Sequence, residues 1–331
     1  MRKESLKNAM TITSFVCGFG AFGAFFRWLQ TQAAFDAATG LIKSSILNIL
    51  IPLLILGACA VFYTQLKKLK NAGFEPTDNM YATFRGKSIF FLIISWVIAA
   101  FLVLGGLLSL LGTAAYLRTG LDTTIALLAV FTGICFPMIC TTGRSRYAPQ
   151  MVCIFMTLPI ILFCLWLISC YKLNANNPNI WRYAVEILAV CSIIAAFYYS
   201  AGYPYGKVQP WKAMFATMLG AFMCFMTLAD NRQAGAELIM IGTAGMLLME
   251  NWMMVSNMPH VDKHAQEERS APESEAAAET ENIIPNGDEE IIPAGQEPTI
   301  PEPTKQAPER KKKEPSDEDD GVSEIIREYK K

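Results

Sequence analysis

The chain has 331 residues, of which 53% are hydrophobic, and its 28 basic and 29 acidic residues leave a net charge near zero. That total conceals two different parts, because residues 1–256 carry 18 basic and 9 acidic residues whereas residues 257–331 carry 10 and 20. All nine cysteines fall inside apolar stretches and none forms a Cys-x-x-Cys pair, which excludes the disulfide framework of a small secreted domain.

Eight stretches almost free of charge fill the chain from residue 10 to residue 257. A hydrocarbon layer about 30 Å thick is crossed by roughly 20 helical residues. The predicted fold class is therefore an all-α integral membrane protein, a bundle of about eight transmembrane helices in residues 1–256 followed by a disordered C-terminal tail. The predicted spans are residues 10–28, 45–63, 88–113, 122–143, 149–171, 183–205, 211–230 and 236–256.

The first span is predicted to be a membrane helix and not a cleaved signal peptide, because its apolar stretch continues to Leu29 and no small-residue cleavage site follows promptly. At its end, Arg27-Trp28-Leu29-Gln30 followed by the Phe-Asp-Ala-Ala-Thr-Gly-Leu segment of residues 35–41 resembles a segment of uncharacterised multi-span membrane proteins from Clostridia-like Gram-positive bacteria. The resemblance implies a bacterial source and a single cytoplasmic membrane, and it carries no activity. Physically, Arg27 and Trp28 are typical of interfacial anchors.

Basic residues near the span ends predict that both termini face the cytoplasm. With the N-terminus inside, twelve Lys and Arg residues lie in the inner segments and six in the outer ones. The longest inner connection, residues 64–87, mixes five basic residues with Phe74, Met80, Tyr81 and Phe84. This mixture suits a segment lying on an anionic membrane surface, and an ordinary positive-inside loop is the alternative.

Four acidic residues at outer helix ends form a weak candidate site. Asp122, Glu186, Asp230 and Glu237 could ring an entrance and attract cations. Local roles are the alternative, since Asp122 can cap its helix, Glu186 lies one turn from Arg182 and Asp230 is close to Arg232 in sequence.

Glu250 is the strongest single candidate, because an ionisable group inside a membrane span is costly and needs a partner. We predict that Lys212, which opens the seventh span on the same inner side, is this partner. The neighbouring Asn251 could add a polar contact to a bound cation or to a proton relay. A purely structural ion pair is the alternative, and Glu250 also lies near enough to the end of its span to reach headgroups or water.

Ten of the sixteen methionines lie between Met214 and Met258. Thioether ladders can bind copper(I), but these residues scatter around their helices, so flexible packing is the prediction. The two histidines, His260 and His264, would need further ligands to hold a metal. We therefore predict no metal and no cofactor.

Residues 257–331 are predicted to be an acidic, Pro- and Glu-rich cytosolic tail, which is disordered because it cannot bury enough apolar surface to offset its ordering entropy. At its end, Ser323 can cap a short helix in which Ile325, Ile326 and Tyr329 share one side. That pattern is typical of a docking peptide, so residues 321–331 are predicted to bind a cytosolic protein. A solubilising end is the alternative.

These features favour a non-enzymatic membrane scaffold or regulator that presents its tail to partners. The main rival is a small-solute or cation transporter with a site near Glu250, and a membrane-embedded lipid-processing enzyme is a third class. A transporter should place Glu250 on a water-accessible cavity, whereas a scaffold should enclose it in a packed core. The predicted partners are the lipid bilayer and a cytosolic protein, with no nucleic acid. A homo-oligomer is a further possibility.

Overall fold

A computed structural model describes residues 2–34, 46–86, 89–112, 119–145, 149–175, 183–230 and 232–260. Within these ranges the chain forms helices and no strand, which confirms the predicted all-α fold. The helices are α1 (Arg2–Ala33), α2 (Leu47–Asn71), α3 (Met80–Thr83), α4 (Ile89–Gly112), α5 (Gly120–Ser145), α6 (Pro149–Asn174), α7 (Ala184–Ala201), α8 (Pro210–Thr227) and α9 (Ala234–Ser256).

The long helices make this chain a multi-pass membrane protein. Seven of them, α1, α2, α4, α5, α6, α7 and α9, are long and apolar enough to cross a bilayer. Length and composition alone therefore identify seven of the eight predicted spans. The helix left out is α8, which corresponds to the predicted seventh span, residues 211–230.

Helix α8 lies at the centre of the bundle, where it packs against α1, α2, α7 and α9. Twelve of its 18 residues are buried, so little of its surface faces lipid. A helix surrounded by protein can carry small and polar residues such as Thr217, Gly220 and Thr227 in place of a fully apolar surface.

Contacts at the two ends of α8 place them at opposite ends of the bundle. Near the start of α8, Met214 contacts Asn251 in the last part of α9, and just after its end Asp230 contacts Arg27 in the last part of α1. Ser5, at the start of α1, donates a hydrogen bond to the carbonyl of Ser256 at the end of α9. We call the end that holds Ser5 and Ser256 the terminal face, and the end that holds Arg27 and Asp230 the opposite face.

The ten methionines between Met214 and Met258 confirm the packing prediction. All ten are buried in the apolar core. They lie in or next to α8 and α9, where unbranched thioether side chains fill irregular gaps between closely packed helices.

The connection between α2 and α4 packs its apolar side chains against the terminal face. Residues 64–71 continue α2, and Gly73 then turns the chain with a φ of 80°. Phe74, Met80 and Phe84 are buried against the bundle, and the Phe84 ring lies 5.3 Å from that of Tyr203 in an edge-to-face contact. The prediction of a surface-bound segment is therefore wrong for these apolar side chains, because the end of the bundle offers them a protein surface to pack against.

Candidate functional site

Glu250 lies in the core near the terminal-face end of α9. Its side chain has 0% exposure, and Ser200 in α7 donates a 2.8 Å hydrogen bond to Oε2. Among the described residues, Oε1 has no hydrogen-bond partner. One oxygen of the enclosed carboxyl group therefore accepts a hydrogen bond and the other does not, which is costly in a low-dielectric core.

The structure does not bring Lys212 to Glu250. Lys212 is exposed, and the ion pairs of the described residues do not include it. Asn251 also points elsewhere, since its Nδ2 donates to the Met214 carbonyl and to Oγ1 of Thr217, both at 3.0 Å. Of the three predicted residues, Asn251 thus joins α9 to α8, Lys212 faces outward, and Glu250 is bonded to α7.

Three cavities of about 710, 590 and 500 Å³ are lined by described residues. Glu250 lines none of these three. Its immediate neighbours in sequence, Met249 and Asn251, are buried as well. The surroundings of Glu250 are thus those of a packed core.

A second polar cluster lies at the opposite face and is centred on Arg27. This side chain is only 1% exposed, whereas the adjacent Trp28 is 50% exposed. Arg27 donates from Nε to Oδ1 of Asp230 at 2.8 Å and from Nη1 to Oε1 of Gln30 at 2.7 Å. The prediction that Arg27 is an interfacial anchor is wrong, because its charge is paired inside the protein and does not face the headgroups.

The cluster continues from Asp230 towards α7 and α6. Arg232 donates to Oδ2 of Asp230 at 3.0 Å and forms a 3.4 Å ion pair with Glu186. Glu186 in turn accepts a 3.0 Å hydrogen bond from the indole of Trp166. On the other side, Gln30 donates to Asn48 of α2, so these contacts connect α1, α2, α6 and α7 with the segment between α8 and α9.

Three of the four predicted outer acidic residues lie in this region. Asp122 and Glu186 line one cavity together with Arg232, and Asp230 bonds Arg232 directly. Asp122 also completes a capping box, because its Oδ2 accepts from the backbone and hydroxyl of Thr119 while Thr119 accepts from the Asp122 N–H.

Glu237 is the fourth of these residues and lies in the first turn of α9, where the helix dipole stabilises a carboxylate. The predicted entrance ring is therefore a set of acids of which two are neutralised by buried or half-buried arginines. Pairing with arginine reduces the negative charge that these two residues would present to a cation.

Arg27 is the residue that reasoning from the sequence missed. Its partner Asp230 lies 203 positions away, and no local pattern indicates that pairing. A local signal does exist, because Gln30 follows Arg27 by three positions and so shares its helix face. An arginine and an amide on one face of an otherwise apolar helix are typical of a buried polar contact between helices.

The predicted docking residues Ile325, Ile326 and Tyr329, together with His264 and residues 35–41, lie outside the described residues. His260 is described, and its ring lies 5.1 Å from that of Phe74.

Comparison with known proteins identifies no relative. No protein-family model matches the chain, no curated protein matches it, and no solved structure matches its fold.

Proposed function

We propose that this multi-pass membrane protein is a non-enzymatic scaffold or regulator that presents residues 261–331 to cytosolic partners. In this proposal the terminal face is cytoplasmic, in the cytoplasmic membrane of a bacterium of the Clostridia-like group. The observation that carries the proposal is that residues 257–260, just after α9, are held against the end of the bundle while Glu250, the ionisable core residue of α9, is enclosed.

Residues 257–260 lie directly after α9. Asn257 donates to the carbonyls of Thr83 and Arg85 at 2.7 and 3.2 Å. The Pro259 carbonyl accepts from the N–H of Glu75 at 3.2 Å, and Phe74 and His260 form an isolated antiparallel bridge. These contacts hold residues 257–260 against the α2–α4 connection, which fixes the point after which the proposed tail begins.

The tail is tested by changing Ile325, Ile326 and Tyr329 to Ala in the full-length protein. Apolar anchors on one helix face carry most of the affinity in helix docking. The variant is therefore expected to retain at least about 90% less of a specific cytosolic partner than the wild type. The measurement is quantitative mass spectrometry of proteins retained by the tagged, detergent-solubilised chain.

A matched control changes Ile283, Ile284 and Ile292 to Ala, which removes apolar residues from the same tail away from its end. Equal recovery of every protein by the wild type and by both variants would count against docking. A reporter fused after Lys331 should be active in the cytoplasm. A reporter exposed on the cell exterior would contradict the proposed orientation.

A second candidate function, small-solute or cation transport, is favoured by the unpartnered Oε1 of the buried Glu250. If Glu250 binds a proton or cation during transport, Glu250→Gln is expected to abolish flux into proteoliposomes, because the amide cannot exchange a proton or carry a charge. Glu4→Gln, which changes an exposed carboxylate of α1 outside every candidate site, is the control and should retain the wild-type rate. Proton, Na⁺ or K⁺ flux that is unchanged in Glu250→Gln would exclude this residue from a transport mechanism.

A further inference from the structure

A groove opens at the terminal-face end of the bundle between α2 and α7. Helix α2 packs on α1 and α8, and α7 packs on α6 and α8, so the two helices flank α8 on different sides. The groove has a volume of about 590 Å³, and α8 forms its floor. We refer to it as the α2–α7 groove.

The lining of the α2–α7 groove changes from polar to apolar with depth. Lys67 and Lys70 lie near the end of α2, and Lys212 lies at the start of α8, so all three belong to the terminal-face end. Farther along the same helices the lining is apolar, including Ala195 of α7 and Phe215 of α8, except for Ser192, whose hydroxyl donates to the Ala189 carbonyl of its own helix. The order of polar and apolar groups therefore matches the order of headgroup and acyl chain in a membrane leaflet.

Charge distinguishes this groove from the arginine cluster at the opposite face. None of the residues that line it is acidic, and its three lysines are exposed. Arg27 and Arg232 are both paired with carboxylates, but the ion pairs recorded among the described residues include none of these lysines. Three such ammonium groups at one mouth favour a ligand with negative charge.

Aromatic residues strengthen the match to a lipid headgroup region. Trp211 and Tyr199 line the same mouth, and both residue types are enriched at the level of membrane headgroups. We propose that the α2–α7 groove binds an anionic phospholipid, with the phosphate contacted by Lys67, Lys70 and Lys212 and an acyl chain lying on the apolar floor of α8. The lipid enters sideways from the leaflet at the terminal face.

The test is native mass spectrometry of the full-length protein in detergent with equal amounts of phosphatidylglycerol and phosphatidylcholine carrying the same acyl chains. The wild type is expected to retain phosphatidylglycerol in excess. In the variant Lys67→Gln/Lys212→Gln, binding of this lipid should fall roughly tenfold, because basic side chains at the surface supply much of the attraction to anionic headgroups. Ala195→Phe, which fills the apolar part without changing charge, should lower the binding as well.

Matched controls separate a site from general surface attraction. Lys68→Gln/Lys207→Gln removes two exposed lysines that do not line the groove, and Leu188→Phe enlarges an exposed side chain of α7 outside it. Both should retain wild-type binding. Equal losses in the two lysine pairs, or equal retention of the two lipids by the wild type, would overturn the proposal.

If Lys67→Gln/Lys212→Gln fails to fold, the unfolding temperature of the wild type tests the proposal instead. A higher unfolding temperature with phosphatidylglycerol than with phosphatidylcholine supports the site, and equal temperatures overturn it.

Discussion

Replacement of Arg27 by Met is expected to destabilise the protein by about 3 kcal/mol, at the lower end of the range for breaking a buried ion pair. The substitution keeps an apolar side chain of similar length but leaves Oδ1 of Asp230 and Oε1 of Gln30 without their donor. The loss stays at the lower end because Asp230 retains its bond to Arg232. Unfolding of the purified protein by increasing SDS in mixed micelles measures the change.

Lys172→Met provides the control for this experiment. Lys172 lies in the last turn of α6 and is exposed, so its loss should change the unfolding free energy by less than about 0.5 kcal/mol. A double variant, Arg27→Met with Asp230→Asn, should lose less stability than the sum of the two single changes, because the two side chains interact directly. Similar stability of Arg27→Met and Lys172→Met would show that the cluster does not hold the bundle together.

Replacement of Gly105 by Ala is expected to destabilise the contact between α4 and α9 by about 1–3 kcal/mol. A Cβ atom at Gly105 would lie 2.8 Å from the backbone nitrogen of Ile239 and 2.9 Å from the carbonyl oxygen of Gly235. Backbone atoms cannot rotate away as a side chain can, so the two helices would have to separate. Small residues at such crossings let membrane helices approach closely and gain dispersion contacts.

Gly57→Ala is the matched control, since Gly57 lies within α2 and a Cβ there would meet nothing within 4 Å. Alanine should stabilise this helix by up to about 1 kcal/mol through its higher helix propensity. The two substitutions are chemically identical and are expected to act with opposite sign. A loss of stability in Gly57→Ala equal to that in Gly105→Ala would contradict the assignment of the close crossing.

The candidate sites were only partly predictable from the sequence. The contact between Asp230 and Arg232 is confirmed because the two residues are two positions apart, and local proximity is visible in a sequence. The predicted pairing of Glu250 with Lys212 is not observed, since both being near the inner end does not determine which way each side chain points. Ser200, the residue that does bond Glu250, is a common small polar residue with no distinguishing pattern around it.

The sequence by itself determined that the chain crosses a membrane and approximately where each helix lies. This follows from local chemistry, because a helix satisfies its own backbone hydrogen bonds and needs about 20 consecutive apolar residues to cross the hydrocarbon layer. Only the tertiary structure decided which helix is central, that Arg27 is buried, and that the α2–α4 connection covers the terminal face. Those features depend on contacts between residues such as Arg27 and Asp230, which are 203 positions apart. The hydrophobicity of a segment does not indicate which distant segment it contacts.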